Sequence, residues 1–319
     1  MGQGTPCARR AHGDRLGSQG NAARRATEQR GPKVSKGTSK IAIISDSASD
    51  IQPSEAKEIG ISIVPIIVSF ESESFKVGEE ISMDEFWRRL TAPSAPFPKT
   101  AAPPAAAFTA AYDRAFADGA DEIISIHVAS KLSATYRSAE MAASAHPQAK
   151  SIHLVDTATA SAAEGLLVKR AKRLADAGRS SNEIVADLER AIPRTHVIFF
   201  LDTLDYLKAG GRISPARAAI GGLLAVKPII DIVDGEVVTL DRPRTASKAR
   251  ERFMELVGAS PVEELTILHA EAPDVEAFRA ELSARFPAIG ALKPGIVRAG
   301  AAIGPHTGPR GLGVALIRT

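Results

Sequence analysis

Of 319 residues only one is cysteine, Cys7, so no disulfide can close within the chain and no cysteine-based metal cluster can be built. A reducing, cytoplasmic compartment is the expectation. No uninterrupted apolar run approaches the roughly 18 residues of a membrane-spanning helix. The Rossmann glycine fingerprint, the P-loop, the zinc-protease HExxH and the GxSxG nucleophile elbow are all missing. Seven histidines are scattered along the chain, no two at metal-ligand spacing. No metal and no cofactor is therefore expected. Aromatic residues are scarce at 5%, while hydrophobic residues make up 44% and charged residues 24%, the balance of a globular protein.

The formal charge of +3 suggests an acidic partner, but its distribution argues otherwise. Residues 1–38 hold eight Lys and Arg against Asp14 and Glu28. Taking these from the chain's 40 basic and 37 acidic residues leaves residues 39–319 with a net charge of −3. Nucleic-acid binding would rest wholly on that basic tail and is not expected. The tail lacks large apolar side chains and is read as disordered. It has no apolar stretch of the secretory-signal kind.

From Lys40 onward strands and helices alternate. Ile41–Ile44 is a short apolar run that ends in a polar loop, Ser45–Asp50, as a buried parallel strand does. Further strands are expected over Ile61–Val68, Glu122–His127 and Ser151–Val155. Helices are expected from Ser82, over 104–118, over 133–145 and over 159–177. This is the pattern of an α/β domain with a mainly parallel sheet. The second half is more mixed. A strand at Thr195–Leu201 and a short helix at Thr203–Lys208 lead to Gly210-Gly211, a glycine helix stop. A hairpin joins Leu223–Val233 to Glu236–Leu240 through Asp234-Gly235. Helices over 245–258 and 273–285 alternate with strands at Leu265–Ala270, near Ala288–Val297 and at Leu312–Ile317. The expected fold is two α/β domains, residues 39–158 with a mainly parallel sheet and residues 159–319 with a mixed one.

The chemistry-bearing residues sit at strand-to-helix junctions. Ser133 is placed as a helix N-cap, where exposed N–H groups attract a carboxylate or phosphate. Thr100 lies in a loop stiffened by Pro98 and Pro103. Arg212 follows a Gly-Gly pair; it can fork onto a ligand anion or pair with Asp202 or Asp205. Arg244 opens a helix, and His306 is held between Gly304-Pro305 and Gly308-Pro309.

In order, Ile44-Ser45-Asp46-Ser47, Val64-Pro65, the Thr100 loop, Ser130–Tyr136, Val155-Asp156-Thr157, Leu204–Ile213, Val226-Lys227-Pro228-Ile229, Arg244-Thr245 and Gly304–Pro309 resemble the landmarks of the DegV family. The resemblance covers residues 40–319. It implies a two-domain α/β protein that binds a long-chain fatty acid in an apolar tunnel, with the carboxylate near the domain junction and the site close to that junction. It also implies that the protein is not itself an enzyme but the acyl-binding subunit of a two-component fatty acid kinase. A separate ATP-binding subunit then phosphorylates the presented carboxylate for phospholipid synthesis. On that resemblance Thr100 and Ser133 hydrogen-bond the carboxylate, and Arg212, Arg244 and His306 lie near the head group or face the kinase. The chain departs from the family pattern at Ala101-Ala102, where Ser-Gln is usual, and at Ala134, where glycine is usual. Two other readings compete: a hydrolase or transferase using Ser133 and His306, and an interaction module carried by the basic tail.

Overall fold

Burial of β-branched runs organises the chain into three sheets. The structure, a computed structural model, describes Met1, residues 39–213 and residues 226–319. The tail expected to be disordered lies, Met1 aside, outside the described residues, and so does the start of the strand expected from Leu223. The first sheet is wholly parallel and comprises β1 (Ile41–Asp46), β2 (Ile61–Val64), β6 (Glu122–His127) and β7 (Ile152–Asp156), in the order β2-β1-β6-β7. Ile43 and Ile44 of β1 are fully buried on opposite faces of it, as parallel strands covered on both sides require. One face is covered by α3 (Ala105–Ala117) and α4 (Thr135–Ala145), whose Phe108, Tyr112 and Ala139 pack with Ile44 and Ile123.

The run expected as one strand over Ile61–Val68 is two. Pro65 interrupts it, and β3 (Ile67–Phe70) turns away into a small antiparallel sheet with β4 (Glu73–Lys76) and β5 (Lys99–Ala101). Thr100 therefore belongs to an edge strand, paired with Val68, and not to a loop. Helix α2 (Met83–Leu90) is capped by Ser82 as expected, and its Trp87 donates from Nε1 to the Ala299 carbonyl at 3.0 Å.

The remaining strands, β8 (Thr195–Phe200), β9 (Ile229–Val233), β10 (Glu236–Asp241), β11 (Val262–Ala270), β12 (Gly295–Arg298) and β13 (Gly311–Arg318), form a six-stranded mixed sheet in the order β10-β9-β8-β13-β11-β12. Only β11 and β12 run parallel. The β9–β10 hairpin turns at Asp234 and Gly235, both at positive φ, as two-residue hairpin loops prefer. The strand expected near Ala288–Val297 is shorter. Pro287 at the first helical position starts a turn of helix over Pro287–Ala291, and extended backbone resumes only at Gly295.

One face of the mixed sheet packs against helices Ala246–Val257 and Val275–Arg285 through Phe253, Met254, Phe278 and Leu282. Its other face shares a core with the first sheet and with α5 (Ala162–Asp176). The described residues include no helix long and apolar enough to cross a membrane.

Candidate functional site

Between the loops that follow the parallel strands and one face of the mixed sheet lies a cavity of about 280 Å³. Its walls are apolar: Ile66, Val128, Val197, Phe199, Ile230 and Leu268 line it among others. Four of the five sequence-nominated residues also line it: Thr100, Ser133, Arg212 and His306. Arg244 does not; it is exposed, in the segment just before the helix Ala246–Val257.

The polar residues gather at one cluster through direct contacts. His306 Nε2 lies 3.2 Å from Thr100 Oγ1. Arg212 donates from Nη1 to the Gly210 carbonyl at 2.6 Å and from Nε to the Leu132 carbonyl at 3.3 Å, one residue before Ser133. Asp202, weighed above as a partner of Arg212, is bound instead by Lys227 and Arg310. Among the described residues Arg212 has no carboxylate partner, and burial lowers its pKa. A half-buried guanidinium held only by backbone carbonyls favours an incoming anion.

Close packing fixes His306. It sits on the short helix Gly304–Thr307, and glycines let side chains press on that helix from three sides. A Cβ at Gly304 would stand 2.4 Å from the Phe86 ring, and one at Gly308, whose φ is +67°, would stand 2.2 Å from Tyr206. A Cβ at Gly210 would stand 2.3 Å from His306 Nδ1. Gly210 thus closes Nδ1 off from any partner. Since Nε2 alone has a hydrogen-bond partner, we assign the ring proton to Nε2, donating to Thr100 Oγ1. Burial, and then the charge of Arg212, pull the histidine's pKa down to about 4, so the imidazole is neutral at neutral pH. Thr100 then has its own O–H free to donate into the cavity.

Ser133 reaches the same condition by a different route. The helix begins one residue later than expected: Ala134 occupies the N-cap position and Ser133 precedes it. Ser133 Oγ accepts from the Thr135 N–H at 3.3 Å and lies 2.8 Å from Thr135 Oγ1. Either hydroxyl can donate in the second contact; we assign Thr135 as donor in both, which leaves the Ser133 O–H free. Two hydroxyl donors and one cation therefore border a largely apolar cavity, an arrangement that takes an anionic head carrying an apolar body. All three departures from the family pattern, Ala101, Ala102 and Ala134, line this same cavity.

Two features lay beyond what the sequence reading singled out. Ser161, at the N-cap of α5 with φ +62°, lines the cavity and donates to Asp50 Oδ2 at 2.6 Å, while Gly300 N–H donates to Asp50 Oδ1 at 2.8 Å. Burial pushes the Asp50 carboxyl up to about 7. The second feature is a buried Asp–His–Ser chain. Asp46 Oδ2 lies 3.0 Å from His127 Nδ1, Ser125 Oγ 2.6 Å from His127 Nε2, and Tyr112 OH 3.0 Å from Ser125. All four residues are fully buried, and none of them lines the cavity. Asp46 also accepts from the N–H groups of Ala48 and Val128, which do line it, so the chain braces the cavity wall from behind. Among the described residues no group of three or more His, Cys, Asp or Glu is placed to hold a metal ion.

Residues 40–319 match the model of the DegV family, described as an uncharacterised protein family. A DegV domain-containing protein of Streptomyces coelicolor is 35% identical over 284 residues, covering 86% of this chain and 97% of the relative. The protein DegV of Bacillus subtilis is 30% identical over 280 residues, covering 86% and 98%. Among solved structures, a DegV family protein of Thermus thermophilus described by its fatty acid binding matches with a TM-score of 0.79 and 32% identity, over 88% of this chain and all of that one. DegV of Bacillus subtilis, described as a fatty acid binding protein, matches with a TM-score of 0.77 and 28% identity over the same shares.

Proposed function

The chain belongs to the DegV family, and from that membership and the cavity together we propose that it binds one long-chain fatty acid, the carboxylate held by Thr100 and Ser133 and the acyl chain buried in that cavity. The observation that carries the reading is the apolar cavity bordered by the hydroxyls of Thr100 and Ser133 and by a cation that has no carboxylate partner among the described residues. Neutral donors satisfy a carboxylate without the full desolvation cost of a buried ion pair, and Arg212 offsets its charge from the rim. Burying the chain at about 0.8 kcal/mol per methylene stabilises a palmitate-sized ligand by on the order of 10 kcal/mol before ordering costs. Such a complex survives purification.

The family resemblance extends the proposal: the bound carboxylate is presented to a separate ATP-binding kinase subunit, which forms the acyl phosphate. In that reading this chain supplies position and charge, with Arg212 and the exposed Arg244 facing the transferred phosphoryl group or the kinase. A self-sufficient Ser133–His306 enzyme finds no support in the hydrogen bonding: among the described residues no hydrogen bond joins the two, and His306 is paired with Thr100 instead.

Mass spectrometry of lipids extracted from the purified protein, with native mass for stoichiometry, tests the first step. One fatty acid per chain is expected. An empty protein that also takes up no member of a fatty acid panel overturns the assignment. Adding an ATP-binding fatty acid kinase subunit and ATP to the loaded protein tests the second step, with hydroxylamine trapping of the acyl phosphate as readout.

A further inference from the structure

The mixed sheet presents one face to the cavity, and its strands do so unequally. Strands β8, β9, β10 and β11 each contribute side chains, among them Val197 and Phe199, Ile230, Val237 and Leu268. Strand β13 lies between β8 and β11, yet contributes no lining residue. Its cavity-side positions begin with Gly311 and Gly313, and Gly313 is in register with Phe199 on one side and Leu268 on the other.

The bare stretch of β13 is covered by one ring. A Cβ at Gly311 would stand 2.4 Å from Phe199 Cε1 and 2.7 Å from Cζ; one at Gly313 would stand 2.3 Å from the Ile198 carbonyl oxygen and 2.6 Å from Phe199 Cδ2. The Phe199 ring therefore lies along the neighbouring strand, in the volume a side chain at Gly311 would fill, and shares the space over Gly313 with the backbone of its own strand. Phe199 is 2% exposed, and its free face is cavity wall. Lying there, the ring leaves the channel wide. Lifted by any side chain beneath it, the ring has only the cavity to enter.

We propose that Phe199, laid over Gly311 and Gly313, sets the width of the acyl channel and thereby the discrimination between straight and kinked chains. This rests on the fatty acid reading above. A cis double bond widens the path a chain sweeps, so its fit depends on wall position more than that of a straight chain of the same length. Gly311→Ala raises the ring and narrows the channel; Phe199→Leu removes the ring and exposes the trough over β13. The two changes act in opposite directions on the same ratio, which a general loss of packing does not do.

The test is the ratio of Kd for palmitoleate to Kd for palmitate, two chains of equal length differing by one cis double bond, measured on delipidated full-length protein. Gly311→Ala is expected to raise the ratio about fourfold, the affinity equivalent of one methylene, and Phe199→Leu to lower it by a similar factor. If Gly311→Ala does not fold, Phe199→Leu decides alone. A ratio within twofold of the unmodified protein in every folded variant overturns the width assignment while leaving fatty acid binding intact. Failure of the unmodified protein to bind either acid overturns the fatty acid reading itself, and the width assignment with it.

Discussion

Replacing Thr100 by valine keeps shape and burial and removes one hydroxyl, and the structure predicts two separable consequences. Among the described residues the hydroxyl oxygen is the only partner of His306 Nε2, at 3.2 Å, and Nδ1 is sealed against Gly210. Thr100→Val leaves the imidazole N–H without a partner, which costs about 1–3 kcal/mol when the group is buried, toward the low end here because the lost bond is long and neutral. In the proposed fatty acid complex the same change also removes a donor to the carboxylate. A hydrogen bond to a charged group contributes about 1.5–3 kcal/mol, so Kd for palmitate is expected to rise by roughly 10- to 150-fold. The assay is isothermal titration of delipidated protein with palmitate, alongside thermal unfolding of the empty protein. Ser133→Ala is expected to weaken binding comparably, and the double variant by less than the product, because both hydroxyls grip one carboxylate. Lowered thermal stability with Kd unchanged within twofold would refute the assignment: Thr100 would then serve only to hold His306.

Gly210→Ala is the complementary change at the other ring nitrogen. Gly210 has an ordinary helical φ of −74°, so its added methyl meets chiefly the His306 ring, 2.3 Å from Nδ1 and 3.0 Å from Cε1, with the Tyr206 carbonyl at 3.1 Å, and palmitate binding is expected to weaken at least tenfold with little change in circular dichroism. Asp50→Asn tests the buried carboxyl by the pH dependence of thermal stability. A folded pKa of about 7 against an ordinary 3.8 means that the proton-bound form is favoured by folding; its stabilisation is complete below pH 3.8 and is lost as pH rises through 7. His306 acts with the opposite sign: its stabilisation is complete above pH 6.5 and is lost as pH falls through 4. Asp50→Asn should therefore flatten the decline of Tm between pH 5 and 8, and an unchanged slope in that range would refute the buried-acid account. Ser125→Ala strips partners from His127 and Tyr112 and is expected to lower stability by about 2 kcal/mol in denaturant melts while leaving the palmitate Kd within twofold, since Ser125 does not reach the cavity.

How much of this was legible depended on the range of the forces involved. Local signals held: the β-branched run Glu122–His127 is β6 to the residue, Ser82 caps α2, and Asp234-Gly235 turns the hairpin. Where a local signal was ambiguous, chain geometry settled it. Pro65 splits one expected strand between two sheets, and Pro287 opens a helical turn inside another. At the site, the DegV resemblance nominated Thr100, Ser133, Arg212 and His306, which converge, and Arg244, which stays outside the cavity. The apolar wall could not be read at all. It is assembled from one or two residues each of β8, β9, β10 and β11, and which side of each strand faces inward is fixed by register across the sheet rather than by neighbours in sequence.

The two hydroxyl-histidine constellations in this molecule show why position has to be settled before chemistry is assigned. Asp46, His127 and Ser125 are spaced like a hydrolytic triad, with contacts of 3.0 and 2.6 Å, yet all are fully buried and off the cavity, so no acyl group can reach the serine. Thr100 and His306 sit on the cavity, but the histidine is held neutral, has no carboxylate orienting it, and uses its bonded nitrogen as a donor to the threonine. A base needs a free lone pair aimed at the proton it removes, and here the only free lone pair points at Gly210. The constellation with the right order of groups has no access, and the one with access has the wrong proton. What remains at the cavity is donors and charge, the groups that the proposed carboxylate binding calls on.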